Sequence, residues 1–269
     1  MLPHRHPTLV AAALALATGV SSPGLAADRV DARYEVFGFA GMHVLTNRTS
    51  LEETPNSYSI AVNLGSRGVA SAFVDLRIHS EVYGKISSEA ARPEAYRSNV
   101  WRNGDDHDYG VRYLGDGNVV NAVVLPPPEG SYLDGVPLRG TVDQLSAYYL
   151  LERQLARRGS CNLTVPVFDG SELYRLRFWD VKEETLTPDG HQNFAGPTQL
   201  CEVARELIVA NPNKNMSTYN RGRMWYARLL RGARVVPVRM EYDTPFGAVV
   251  GYLAELTGYG VHLKYMETQ

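Results

Sequence analysis

Arg139-Gly-Thr-Val-Asp-Gln-Leu-Ser-Ala-Tyr-Tyr-Leu-Leu-Glu-Arg-Gln-Leu-Ala-Arg-Arg-Gly159, then Ser160-Cys161-Asn162, then Leu163-Thr-Val-Pro-Val-Phe-Asp-Gly170, is the stretch that decides the fold. It carries the long helical signal of a chain otherwise written in strands. Thr141 and Gln144 have the reciprocal spacing of a capping box, Arg157 and Arg158 suit the negative end of a helix dipole, and Gly159 suits its stop. The spacing predicts a helix over 141–158. Val142, Leu145, Tyr148, Tyr149, Leu151 and Leu155 make its apolar stripe, expected to lie against the concave side of a sheet.

Outward from this helix the dominant pattern is period two, the mark of half-buried strands. Tyr174, Leu176 and Phe178 alternate with Arg175, Arg177 and Trp179, and Val236, Val238, Met240 and Tyr242 alternate with Arg239 and Glu241. Ala248 to Leu256 and Tyr109 to Tyr113 repeat the pattern. Further strands are expected near Tyr34–Thr46, Ser57–Leu64, Leu76–Ile86, Glu94–Arg102, Val119–Leu125, Gln199–Leu207 and Met224–Leu230. Val69–Asp75 reads as well as a short helix. Asn103-Gly104, Asp116-Gly117, Asp189-Gly190, Arg231-Gly232 and Thr244-Pro-Phe-Gly247 supply hairpin turns, so the sheet is read as antiparallel.

Pro126-Pro-Pro-Glu-Gly130 removes consecutive backbone donors and must end a strand at Leu125. We read it as a crossing within one domain over 27–269, because the preceding strands contain no helix to cover their apolar face. The expected architecture is mainly β: one strongly bent antiparallel sheet, an open half-barrel or spiral, with one long helix in its hollow.

Residues 1–26 read as a cleaved signal peptide. Arg5 precedes the apolar run Leu9–Val20, and Gly24 and Ala26 stand before the cut. The run is too short for a membrane span, so a periplasmic location is expected. In that oxidising compartment the isolated pair Cys161 and Cys201 reads as a disulfide. The net charge of −2 argues against a nucleic-acid partner.

Gly140-Thr-Val-Asp-Gln-Leu-Ser-Ala147, Val165-Pro-Val-Phe-Asp-Gly170 with Tyr174-Arg-Leu176, Cys201-Glu-Val203, and Pro237-Val-Arg-Met-Glu241 with Thr244-Pro-Phe-Gly247 resemble the bacterial exported-protein family catalogued as domain of unknown function 3108. The resemblance implies a bent antiparallel sheet filled by a helix, similar in outline to periplasmic lipoprotein carriers and their outer-membrane receptors. It implies no catalytic residues. Near the first strand the fit is looser, with His43 where a small or acidic residue is expected.

The candidate chemistry is sparse. Asp105-Asp106-His107-Asp108 could ligate calcium but reads as a solvated hairpin tip. The scattered histidines lack metal-site spacing, and neither a Gly-x-Ser-x-Gly elbow nor a hydrolase-like cysteine motif is present. Asp169 reads as a turn residue rather than a catalytic acid. Arg221, Arg223, Arg228 and Arg231, with Arg234 and Arg239, form either a solvated face or a patch for anionic envelope polymers and lipid head groups.

Tyr148, Tyr149 and Trp179, at strand and helix spacing, read first as core and otherwise as the lining of a groove between helix and sheet, the best ligand hypothesis. The resulting expectation is a monomeric, non-enzymatic envelope protein without cofactor or metal, binding an apolar ligand or a partner protein in that groove. A hydrolase acting on envelope material is the alternative, and a titratable cluster converging in the cleft would favour it. An outer-membrane barrel is disfavoured by the capped helix and the cysteine pair.

Overall fold

The computed structural model describes residues 28–72, 74–87, 90–127, 132–212, 221–230, 234–244 and 247–267. The expected signal peptide lies outside the described residues, as does Arg231.

Fourteen strands form one antiparallel sheet that does not close into a barrel. The first half is a meander of β1 (Asp28–Phe37), β2 (His43–Glu53), β3 (Ser57–Ser66), β4 (Leu76–Ile86), β5 (Ala91–Arg102), β6 (Asp105–Tyr113) and β7 (Val119–Leu125). After the helix α1 (Gln144–Arg158) a second meander follows: β8 (Leu163–Phe168), β9 (Leu173–Leu186), β10 (Gly196–Val209), β11 (Arg221–Ala227), β12 (Val236–Thr244), β13 (Gly247–Gly258) and the short β14 (Val261–Lys264). The two meanders join where β1 pairs with β13, leaving β7 and β8 at the ends of the strand order.

Local chemistry explains the hairpins. Asn103 and Gly104 both take positive φ between β5 and β6, the backbone twist that a two-residue connection requires. Val119–Leu125 ends where Pro126 demands, and the doubtful segment near Val69 is a short 3-10 helix at Gly68–Ala72. The expected strand Tyr34–Thr46 is in fact two strands. A turn at Phe39–Gly41, with Ala40 and Gly41 at positive φ, breaks it and sends β2 back along β1.

The helix begins later than the capping-box spacing predicts. Asp143 is the N-cap and accepts from the Ser146 amide at 2.9 Å, whereas the Thr141 hydroxyl donates to the Leu138 carbonyl. Val142 therefore precedes the helix and pairs with Val167 of β8. At the other end Gly159 adopts the left-handed conformation and its amide bonds to the Leu155 carbonyl, as expected.

The sheet curls about α1. Ala147, Leu151 and Leu155 pack on Val165, Leu176, Phe178, Val203 and Met224 of the second meander. On another side of the helix, Tyr149 packs with Tyr58, Val82, Tyr96 and Val111 of the first. Cys161 and Cys201, both fully buried, form a disulfide with Cα atoms 6.0 Å apart, tying the chain just past the helix to β10. Asp180 reinforces that junction by accepting from the Cys161 amide at 2.8 Å and the Ser160 hydroxyl at 2.7 Å.

Candidate functional site

Between the packed faces, α1 leaves a cavity of about 220 Å³ facing the β1–β2 edge of the seam. Its wall is mainly apolar: Val30 and Ala32 from β1, Leu51 from β2, and Leu230, Val235 and Val236 from the chain around the start of β12. Into this wall the helix places Tyr149, Glu152 and Arg153, β2 places Glu53, and the chain before β12 places Arg234.

These charges are arranged rather than scattered. Glu53, only 13% exposed, lies 3.1 Å from Arg153 through one carboxylate oxygen and 2.5 Å from Arg234 through the other. Arg153 is held further by the Tyr149 hydroxyl at 3.2 Å and the Ser87 carbonyl at 3.0 Å, and Arg234 lies over the Tyr259 ring. One carboxylate thus serves two guanidiniums.

Glu152 is different. It lines the cavity, and its carboxyl has no hydrogen bond among the described residues. Burial raises it to about 8, the nearby positive charge of Arg234 opposes the rise, and Glu53 adds to it. It is therefore a largely neutral acid at neutral pH. Tyr34, fully enclosed on β1, is pushed well above the ordinary tyrosine range by burial and then by the neighbouring Glu152. The cavity wall thus offers a carboxylic acid, a shared carboxylate and two guanidiniums within an apolar lining.

Of the residues expected to line a groove, Tyr149 does so. Tyr148 instead packs edge-on against Phe178. Trp179 does not belong to the groove: it follows Phe178 on β9, and Phe178 faces the helix, so alternation turns Trp179 to the opposite face.

Several arginines of the expected anionic patch are matched within the fold. Arg223 and Arg239 both pair with Glu241, and Arg239 also covers the Trp225 ring. Arg228 lies over the helix C-terminus, 3.5 Å and 3.4 Å from the Leu155 and Ala156 carbonyls. Arg221 is exposed at the start of β11.

Asp105 to Asp108 lie on β6 beyond the turn, where Asp106 and Asp108 accept from Asn99; no metal-binding group of His, Cys, Asp and Glu is found among the described residues. Asp169 accepts the Ser171 and Glu172 amides, the work of a turn residue. On the other face of β1, Glu35 takes Thr46 at 2.6 Å, His43 at 2.8 Å and Arg33, so that buried cluster is internally satisfied. A second, more open cavity of about 540 Å³ lies between the helix end and the β9–β10 hairpin.

An open, curled antiparallel sheet around one helix defines a β-barrel-like class of protein. Within it the chain belongs to the family described as protein of unknown function DUF3108, whose model matches residues 33–254. Among solved structures it is similar to a β-barrel-like protein of domain of unknown function DUF1849 from Brucella abortus. The TM-score is 0.51 at 14% identity, over 88% of this chain and 100% of that one. That likeness concerns the fold. No curated protein matches.

Proposed function

We propose that this chain is a non-catalytic periplasmic protein of the bacterial cell envelope that binds a small apolar or amphipathic ligand between α1 and the sheet. The observation carrying this reading is the cavity of about 220 Å³ beside Tyr149 with an apolar wall. An engineered apolar cavity of about 150 Å³ is already large enough to take benzene. A single short chain or ring is the scale of ligand that suits it, and a two-chain lipid is too large. Export by residues 1–26 and a periplasmic location belong to the same proposal.

Gentle purification from the periplasm, organic extraction and mass spectrometry test it. A bound molecule at near-stoichiometric amount is expected. Protein that is empty as isolated and gains no thermal stability from any short-chain amphiphile would remove the ligand reading and leave partner-protein binding in front.

A hydrolase is the second reading, and Glu152 is the observation that favours it: a carboxyl raised to about 8 and standing near a second carboxylate suits a general acid. Against it, both oxygens of Glu53 are engaged by arginines. Turnover of an envelope ester or glycan that Glu152→Gln abolishes would establish the hydrolase.

A further inference from the structure

The charged and titratable groups that line the cavity with Glu152 specify the ligand's head. From α1 come Arg153 and Arg157, from β1 Tyr34, from β2 Glu53, and from the chain before β12 Arg234. Arg153 and Arg234 thus bring two guanidiniums to the cavity. Glu53 pairs with both. A guanidinium has five N–H donors in a planar fork, and Arg234 reaches Glu53 through Nη2. Glu152 completes the set as a carboxyl without a hydrogen-bond partner among the described residues.

We propose that the cavity binds a monocarboxylate with a short apolar tail, its head between Glu152 and Arg234 and its tail against Val30, Ala32, Leu51 and Val236. The inference rests on the reading of the cavity as a ligand site and adds the class of ligand. A carboxylate head accepts a hydrogen bond from the acid form of Glu152 and another from Arg234, so both protein groups gain a partner at once. An ammonium head would meet the positive side chains of Arg153 and Arg234. A hydroxyl head would satisfy Glu152 and leave the excess positive charge unanswered. The tail fills the apolar wall, where each buried methylene adds to affinity.

The arrangement makes binding fall at high pH. Glu152 donates to the ligand while it holds its proton, and as pH rises through about 8 it becomes a second anion beside the ligand carboxylate. Arg234 moderates that repulsion, and Tyr34 stays neutral across the window.

Isothermal titration calorimetry of the full mature chain with octanoate, octan-1-ol and octylamine, from about pH 6 to about pH 9.5, tests the proposal. Octanoate is expected to bind at least about tenfold tighter than the alcohol near neutrality, the size of one charge-assisted hydrogen bond. It should weaken above pH about 8. Octylamine is expected to bind weakest.

Arg234→Gln should abolish the preference for acid over alcohol. Because that variant also disturbs Glu53, Glu152→Gln serves as the second test: folded, binding octanoate, and with its high-pH loss flattened. Equal binding of acid and alcohol overturns the carboxylate inference while leaving an apolar-ligand protein standing. Preference for the amine also overturns it. Binding of none of the three, in protein that nevertheless carries an extracted apolar molecule, overturns the head-group assignment alone; binding of none by empty protein overturns both readings.

Discussion

The Tyr58 hydroxyl on β3 lies 2.7 Å from the Ser146 hydroxyl in the first turn of α1, 88 residues further along the chain. Ser146 donates its single proton to Asp143 at 2.6 Å, so Tyr58 is the donor in the pair. Tyr58 also stacks on Tyr149 at 4.7 Å between ring centres. The start of the helix is thereby fixed to the first meander, while the disulfide just past its end fixes it to the second. The helix is a strut between two halves whose strands pair directly through β1 and β13.

Tyr58→Phe removes one buried hydrogen bond and keeps the ring stack. The expected cost is about 1 kcal/mol, or roughly 2–4 °C in Tm for a chain of this size. Ser146→Ala should cost more, because it leaves both the Tyr58 hydroxyl and one Asp143 oxygen without that partner. Thermal melts of the two variants check the ranking, and equal losses would contradict the hydrogen-bond chain.

Gly84, paired across the sheet with Tyr58, has no space for a side chain. A Cβ there would lie 2.3 Å from the Arg92 carbonyl oxygen and 2.7 Å from the Tyr58 ring. Gly84→Ala must therefore shift β5 backbone or push Tyr58 off the helix, at an expected cost of roughly 1–3 kcal/mol. Urea denaturation should show a lower midpoint, and an unchanged midpoint would mean that the strand yields freely.

Reducing Cys161–Cys201 opens a covalent link of sequence separation 40 between two fully buried residues. The chain-entropy model gives about 4 kcal/mol for a loop of this length. Cys161→Ser with Cys201→Ser should accordingly melt on the order of 10 °C lower. A double variant as stable as the parent would show that Asp180 and the surrounding apolar cluster hold the junction unaided.

Much of this framework is legible in the sequence because strand boundaries are written locally. Leu76–Ile86 and Val119–Leu125 begin and end where alternation and turn residues place them. Gly159 likewise announces the end of the helix. The start was harder, since Thr141, Asp143 and Gln144 compete for the cap and tertiary pairing of Val142 with β8 decides in favour of Asp143.

The side taken by Trp179 is legible in the alternation, since its neighbour Phe178 holds the inward face. The charged cluster was not legible as a cluster, because Glu53, Arg153 and Arg234 are brought together by sheet curvature. One local signal did exist. Glu152 stands three residues from both Tyr149 and Leu155, so helical spacing puts an acid inside the apolar stripe.

That acid yields the most discriminating stability prediction. Its folded value of about 8 lies above the ordinary 4.5, so the folded chain keeps a proton that the unfolded chain releases between those values. The contribution of Glu152 to stability is therefore full below about 4.5, declines as pH rises, and is gone above about 8. Glu152→Gln carries no titrating group, so variant and parent should melt alike near the acid end of the window. Above it the variant should be more stable, on the order of 1–2 kcal/mol once the partial exposure of the carboxyl is allowed for. Parallel curves across the window would exclude the buried acid.

Glu53→Gln separates cause from consequence. Removing the carboxylate leaves Arg153 and Arg234 without a counter-ion and lowers stability at every pH. It also removes the negative charge that helps hold Glu152 up while leaving the positive charge that pulls it down. The midpoint of the pH-dependent stability loss should consequently move to lower pH in Glu53→Gln, a displacement that a merely weakened fold would not produce.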